Sequence, residues 1–251
     1  MEMSKIKIAL GVALGMSVAM PMAAMAAADQ EAAIADANNW AHPRGNHSNN
    51  GFSALTQINK GNVKNLKAAW TFATGVNRGH EGSPLVIGNM MYVHTAFPNN
   101  VYALNLDDNQ KIVWAYFPKQ DPSVQAVLCC DNVNRGLGFG DGKIFLQQND
   151  GMLVALDAKT GAKVWEVKNT DPKVGATNTN APHVIKDKVL TGCSGAEFGV
   201  RCFIAAYNLK DGSLAWKAYS TGPDSETLHN ADTNKENPQY NALSVYEDVN
   251  G

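Results

Sequence analysis

Three stretches of this 251-residue chain share one pattern of apolar and polar positions: "VYALNLDDNQKIVWAYF", "LVALDAKTGAKVWEVKN" and "IAAYNLKDGSLAWKAYS". Each has an apolar run, a polar turn, and a second run that closes on tryptophan. The turns are Asp107-Asp108-Asn109, Lys159-Thr160-Gly161 and Lys210-Asp211-Gly212, and the closing residues are Trp114, Trp165 and Trp216. Two apolar runs around a Gly- or Asn-bearing turn predict a β-hairpin. Upstream of each lies another strand, turn and strand: "SPLVIGNMMYVHT", "GLGFGDGKIFLQQ" and "APHVIKDKVLTGC". Their turns fall at Gly88-Asn89, Asp141-Gly142 and Lys186-Asp187. A weaker fourth copy, "NLKAAWTFATG", carries Trp70.

Four strands per unit, repeated every ~40–50 residues, predict an all-β chain: a β-propeller with tryptophan-docking repeats, about three to four blades of it present. The tryptophans are read as blade-to-blade packing. A buried indole needs a partner for its N–H, and a neighbouring blade's backbone can supply one. Helical periodicity is confined to Gln30–Asn38 and, more weakly, Asn59–Leu66. Closed propellers have ~4–8 blades, so the chain is expected to be part of a longer one.

The N-terminus carries a different signal. Lys5 and Lys7 precede an uncharged run from Ile8 to Ala28, which ends in A-x-A sequences. That layout predicts a secretory signal over residues 1–28, removed on export. Residues 29–251 are then a partial propeller domain, soluble and exported, in a compartment that permits disulfides. Without the signal, 19 basic and 22 acidic residues remain, and no basic patch stands out. Nucleic acid is not an expected partner.

The candidate chemistry centres on "VLCCDNVNRG", where Cys129 touches Cys130 and Arg135 follows. Neighbouring Cα atoms lie ~3.8 Å apart across a trans peptide, whereas ordinary disulfides span ~4.4–6.8 Å. A Cys129–Cys130 bond would close a strained ring. Unpaired thiols, or pairing with Cys193 or Cys202, are the alternatives, because four cysteines allow three connectivities.

Together with the repeats, "GHEGSPLV", "MYVHTAFPNNVYALNL", "CCDNVNRG", "TNAPHVIKDKV" and "SGAEFGVR" resemble the periplasmic quinoprotein methanol dehydrogenases. The resemblance runs from about Asn49 to Gly251. It implies an eight-bladed propeller holding pyrroloquinoline quinone, PQQ, and oxidation of methanol-like primary alcohols to aldehydes. It also implies a cytochrome c as electron acceptor and admits a homodimer. By resemblance, Cys129 and Cys130 form the ring, which lies against one face of PQQ. Arg135 forks onto a PQQ carboxylate, and Val133 turns with it toward the cofactor. Glu81 bonds the cofactor rim, Thr179 and Ser194 offer hydroxyls, and Gly195 and Ala196 offer backbone N–H groups. Glu197 ligates a hard cation, calcium or a lanthanide, that polarises the quinone. "KQDPSV", "EFGVRC" and Cys202 look more like the lanthanide type. The general-base aspartate and the other metal ligands are expected beyond Gly251, so the chain alone is expected to be inactive.

Other signals lead nowhere. "GLGFGDG" runs into a strand rather than a helix, which argues against a dinucleotide fold. The six histidines show no metal spacing; His42, His47, His94, His183 and His229 are read as structural or surface residues, and His80 as shaping the loop of Glu81. Cys193 and Cys202 straddle Glu197 and could clamp its loop, but are read as buried thiols. "DSETLHNADTNKENPQY" is read as a surface loop. A non-catalytic, protein-binding propeller is the competing reading, and it needs neither the cysteine ring nor Glu197.

Overall fold

A computed structural model of the chain describes residues 22–222. Helix α1, Met22–Ala35, is followed by twelve strands. These are β1 Leu85–Ile87, β2 Met90–His94, β3 Val101–Asn105, β4 Lys111–Tyr116, β5 Leu137–Gly140, β6 Lys143–Gln147, β7 Met152–Asp157, β8 Lys163–Lys168, β9 His183–Ile185, β10 Lys188–Thr191, β11 Phe203–Asn208 and β12 Leu214–Tyr219. They form three antiparallel sheets of four strands, each in chain order: β1–β4, β5–β8 and β9–β12. Every predicted strand and hairpin turn of the three full repeats is present. The described residues hold three blades.

Local chemistry explains the turns. Asp141 and Gly142 both have positive φ, 51° and 62°, as the Asp-Gly turn of a two-residue hairpin requires. In the tryptophan hairpins an aspartate organises the turn from its side chain. Asp157 Oδ1 accepts from the Lys159 and Thr160 N–H groups and from Thr160 Oγ1. Asp211 does the same for Ser213.

Period-two alternation then buries both faces of the middle sheet. On β6, Ile144 and Leu146 face the first sheet's core with Leu85, Val101 and Ala103. Phe145, between them, faces Val184, Val189 and Ala205 of the third. Each fully buried aliphatic or phenyl side chain contributes ~1.5–3 kcal/mol.

Tryptophan links blade to blade, as predicted. Trp114 Nε1 donates to Ala158 O at 3.0 Å, and Trp165 Nε1 to Leu209 O at 3.0 Å. A Cβ at Gly161 would come within 2.6 Å of the Trp114 ring, so the turn glycine is also the floor of the indole's seat. Trp216 is 36% exposed, with no such seat among the described residues.

Two expectations need correction. Asn59–Leu66 is not a helix beyond a 3-10 turn at Val63–Asn65; none of the turn's residues is buried, so no apolar face is sequestered to hold a longer one. The segment around Trp70 forms no strand; Trp70 is 41% exposed. It follows the first sheet through side chains instead: Phe72 meets Tyr102 edge-on at 5.2 Å, and Tyr102 Oη donates to Thr74 O. Cleavage after Ala28 would fall inside α1. Residues beyond it anchor the helix, with Gln30 Nε2 donating to Val184 O and the Gly142 N–H to Asp29 Oδ2. No described helix is long and apolar enough to cross a membrane. Most of the expected signal, "DSETLHNADTNKENPQY" and His229 lie outside the described residues.

Antiparallel order decides where the site forms. The chain enters the first strand of each sheet, β1, β5 or β9, at the end where the sheet's second strand hands over to its third. Lead-ins 79–84, 128–136 and 176–182 therefore share one end with loops 95–100, 148–151 and 192–202.

Candidate cofactor-binding site

Arg135 is the hub. Its backbone N–H donates to Thr179 O at 3.1 Å. Its Nη1 donates to Thr179 Oγ1 at 2.7 Å, and its Nε lies 3.2 Å from Glu81 Oε2. A parallel bridge between His80 and Asn134 sets Glu81 beside Arg135. Both members of the ion pair are nearly half exposed, and such pairs contribute only ~0–1 kcal/mol to stability. Their arrangement aims the guanidinium. Among the described residues nothing is bonded to Nη2, so one edge of the fork is open. Glu81, Arg135 and Thr179, predicted from separate motifs, are brought together.

The cysteine loop precedes Arg135 on the same lead-in and meets the third sheet's lead-in at Thr177, whose Oγ1 donates to Val127 O at 3.4 Å. Cys129 Sγ and Cys130 Sγ are 3.0 Å apart, and both are free thiols. The ring implied by resemblance is not formed in this structure. A disulfide does form between Cys193 and Cys202, which were read as buried thiols. Their Cα atoms are 5.5 Å apart, inside the ordinary disulfide range of ~4.4–6.8 Å that adjacent residues cannot reach without distortion. The vicinal loop is nonetheless tense. Cys130 and Asp131 have φ of 63° and 69°, and such non-glycine conformations cost ~1–3 kcal/mol each. Asp131 is held there by Arg78 Nη2 at 2.8 Å.

The disulfide clamps loop 192–202, which carries Ser194 to Glu197. Ser194 exchanges two backbone bonds with Thr177, at 2.9 and 3.0 Å. Its hydroxyl donates to Thr177 O at 3.2 Å, so this loop is stitched to the Thr179 lead-in. Ala196–Phe198 makes a 3-10 turn that presents Glu197 to solvent. Gly195 is required by packing: a Cβ there would lie 2.2 Å from Gly175 O. Cys130, Cys129's own burial and the Glu197 carboxylate together push the Cys129 thiol up to about 11. Loop 192–202 and the cysteine loop also meet at Thr177, which exchanges backbone bonds with Ser194 and donates from Oγ1 to Val127 O. Val133 is 2% exposed, its side chain part of the packing beneath the loop.

A cleft of about 830 Å³ borders Arg135 and Glu81 and is also lined by His42, Arg44, His47 and His183. His42 Nδ1 accepts from the Arg44 N–H, so its Nε2 carries the proton that reaches His183 Nδ1 at 3.1 Å. Burial first, then the neighbouring histidines, lower the His42 pKa to about 4. Burial and His47 lower that of His183. Both are neutral at pH 7, which leaves Arg135 and Arg44 as the fixed cations of the cleft. Among the described residues no group of three or more His, Cys, Asp or Glu is arranged to hold a metal ion.

The residues present fit PQQ on two observations: Arg135 Nη2, bonded to no described residue while Nη1 meets Thr179, suits a carboxylate, and a polarisable sulfur pair stands on the same lead-in, six residues before Arg135 at its first member. Thr177, Asn149 and Asn178 went unpredicted. Each sits in a polar run that reads as an ordinary turn, and only burial distinguishes them.

Comparison with known proteins agrees. The chain is 60% identical over 182 residues to the lanthanide-dependent methanol dehydrogenase of Methylorubrum extorquens, covering 72% of this chain and 30% of the relative. It is 54% identical over 209 residues to methanol dehydrogenase (cytochrome c) subunit 1 of the same organism, covering 81% and 33%. The chain thus spans about a third of the length of these curated relatives. A solved europium-containing methanol dehydrogenase superposes with a TM-score of 0.81 at 49% identity, over 84% of this chain and 37% of that one. Residues 40–246 match the family described as PQQ: glucose/ethanol/alcohol dehydrogenase, beta-propeller domain, and with the blades and Arg135 site above this establishes that the chain belongs to the PQQ-dependent alcohol dehydrogenase family of β-propellers.

Proposed function

We propose that this chain supplies part of the cofactor-binding face of a periplasmic PQQ-dependent dehydrogenase that oxidises methanol or similar primary alcohols to aldehydes. Electrons then pass to a cytochrome c. The observation that carries the reading is the Glu81–Arg135–Thr179 cluster, built from the lead-ins of all three sheets, with the Cys129–Cys130 pair on the same lead-in as Arg135. When bound, PQQ supplies a quinone that accepts the two electrons of the alcohol. The chain's own residues bind and orient. Arg135 and Thr179 hold a carboxylate, and Glu81 keeps the guanidinium turned toward it. The sulfur pair offers a flat polarisable surface, and Glu197 offers a hard oxygen to calcium or a lanthanide. The clamp at Cys193–Cys202 limits how far Glu197 can move.

The test has two arms. PQQ binding to the full chain is followed by quenching of protein fluorescence. Arg135→Gln is expected to weaken it by about 10- to 100-fold, the loss of a charge-assisted hydrogen bond, and Cys129→Ser to weaken it too. The longer parent protein, reconstituted with PQQ and calcium or a lanthanide, is expected to show dye-linked methanol oxidation. Absence of both PQQ binding and methanol oxidation sinks the reading. PQQ-independent binding of a protein partner would favour a scaffold instead.

A further inference from the structure

Asn149 sits in the turn between β6 and β7 and is 0% exposed. Its Nδ2 donates to two carbonyls on two different lead-ins, Val133 O at 3.1 Å and Asn178 O at 2.9 Å. Val133 is two residues before Arg135, and Asn178 immediately precedes Thr179. The Asn149 backbone N–H donates to Asn99 Oδ1 at 2.9 Å. Asn99 lies in the corresponding loop of the first sheet, and the same oxygen receives Gln120 Nε2. Asn178 extends the line: its Nδ2 donates to Gly192 O, and its Oδ1 accepts from Thr170 Oγ1 at 2.6 Å. Asn149 thus joins loops of all three sheets at the end where the site forms: its carboxamide ties the lead-ins of the second and third, and its backbone N–H reaches the Asn99 loop of the first.

The turn itself does not require this. Asparagine is ordinary in turns, but it is usually at the surface, where water serves its amide. Here both Nδ2 hydrogens go to buried carbonyls, and Oδ1 is buried without a partner. An unsatisfied buried acceptor is costly. What the side chain contributes to this fold is what its donors hold.

We propose that Asn149 is a positioning residue of the cofactor site, holding the Val133 and Asn178 carbonyls at one separation and thereby keeping the Arg135 guanidinium against Thr179. The proposal rests on the PQQ reading above. Its test is a double-mutant cycle on PQQ affinity, read by fluorescence quenching in the full chain: wild type, Asn149→Ala, Arg135→Gln and the double variant. With Arg135 present, Asn149→Ala is expected to weaken PQQ about tenfold. In the Arg135→Gln background the loss shrinks to less than about twofold, because no guanidinium remains to be misplaced. A merely structural role would weaken both backgrounds alike. Equal losses, or no loss at all, overturn the proposal. If Asn149→Ala does not fold, Asn149→Ser, which keeps one donor, is read in the same cycle by the same criteria. A wild-type chain that binds no PQQ refutes the quinone reading itself and the positioning role with it, a result distinct from equal losses.

Discussion

Histidine 94 shows how much one buried side chain can impose. It is 5% exposed, its Nε2 donates to Asn134 O at 3.1 Å, and its Nδ1 has no partner. Burial dominates the bond to Asn134 and lowers its pKa to about 4, as burial also does for His42. Between pH 6.5 and 4 the unfolded chain therefore binds protons that the folded chain refuses. The stability contributed by keeping these rings neutral is complete above pH ~6.5 and is lost as pH falls toward 4, by up to ~1.4 kcal/mol per pH unit per group. A melting temperature that falls across this window, less steeply in His94→Gln, checks it; a flat profile contradicts it. At this scale the sequence was informative where a residue belonged to a motif, as with Arg135 and Glu81. It reads His94 only as one of several structural or surface histidines and says nothing of Asn149, because both act through burial.

The tryptophan hairpin is the element that the sequence announces most clearly, because turn, indole and glycine recur at fixed offsets. Trp114 shares the Ala158 carbonyl with Tyr92 Oη, which donates at 3.0 Å. Removing the indole N–H leaves that acceptor satisfied, so Trp114→Phe is expected to cost only ~1 kcal/mol. Gly161→Ala places a Cβ against the ring at a φ of 72° and is expected to cost more, ~1–3 kcal/mol. Urea midpoints with unchanged slope measure both; a larger loss for Trp114→Phe would show that the indole bond, not its seat, holds the blades. The failures at this scale have one cause. Asn59–Leu66 carries a helical pattern, and Trp70 ends a strand-like run, but pattern alone supplies no partner surface. Among the described residues the 3-10 turn of Asn59–Leu66 buries nothing, and the Trp70 run meets the first sheet only through the Tyr102 side chain, not along a strand edge.

For the molecule as a whole, the decisive feature is that three antiparallel sheets deliver their lead-ins to one end. Glu81, Arg135 and Thr179 are 98 residues apart at the extremes and meet because each lies on the lead-in to the first strand of its sheet, β1, β5 or β9. The Cys193–Cys202 disulfide fixes the loop that brings Glu197 to this end. It closes a short loop, and Cys193→Ala with Cys202→Ala is expected to lower stability by ~2–3 kcal/mol. The same pair of changes frees the Glu197 carboxylate, which after Cys130 and burial helps to raise the Cys129 thiol, so that thiol should titrate lower than it does with the clamp in place. Thiol titration against a Cys130→Ser background reads this directly. An unchanged Cys129 titration would mean that the loop holds without its clamp.

The sequence by itself determined the strands, their hairpin turns, the tryptophan linkage and the family, because each depends on local periodicity or on residues close together in the chain. It also put forward Glu81, Arg135 and Thr179, from motifs that travel as short units, and the fold brings these three together. The tertiary structure alone decided which cysteines pair, since that depends on Cα separations across a loop. It alone made Asn149, Asn178 and Thr177 part of the site, since a polar residue in a turn looks the same in sequence whether water or two buried carbonyls surround it.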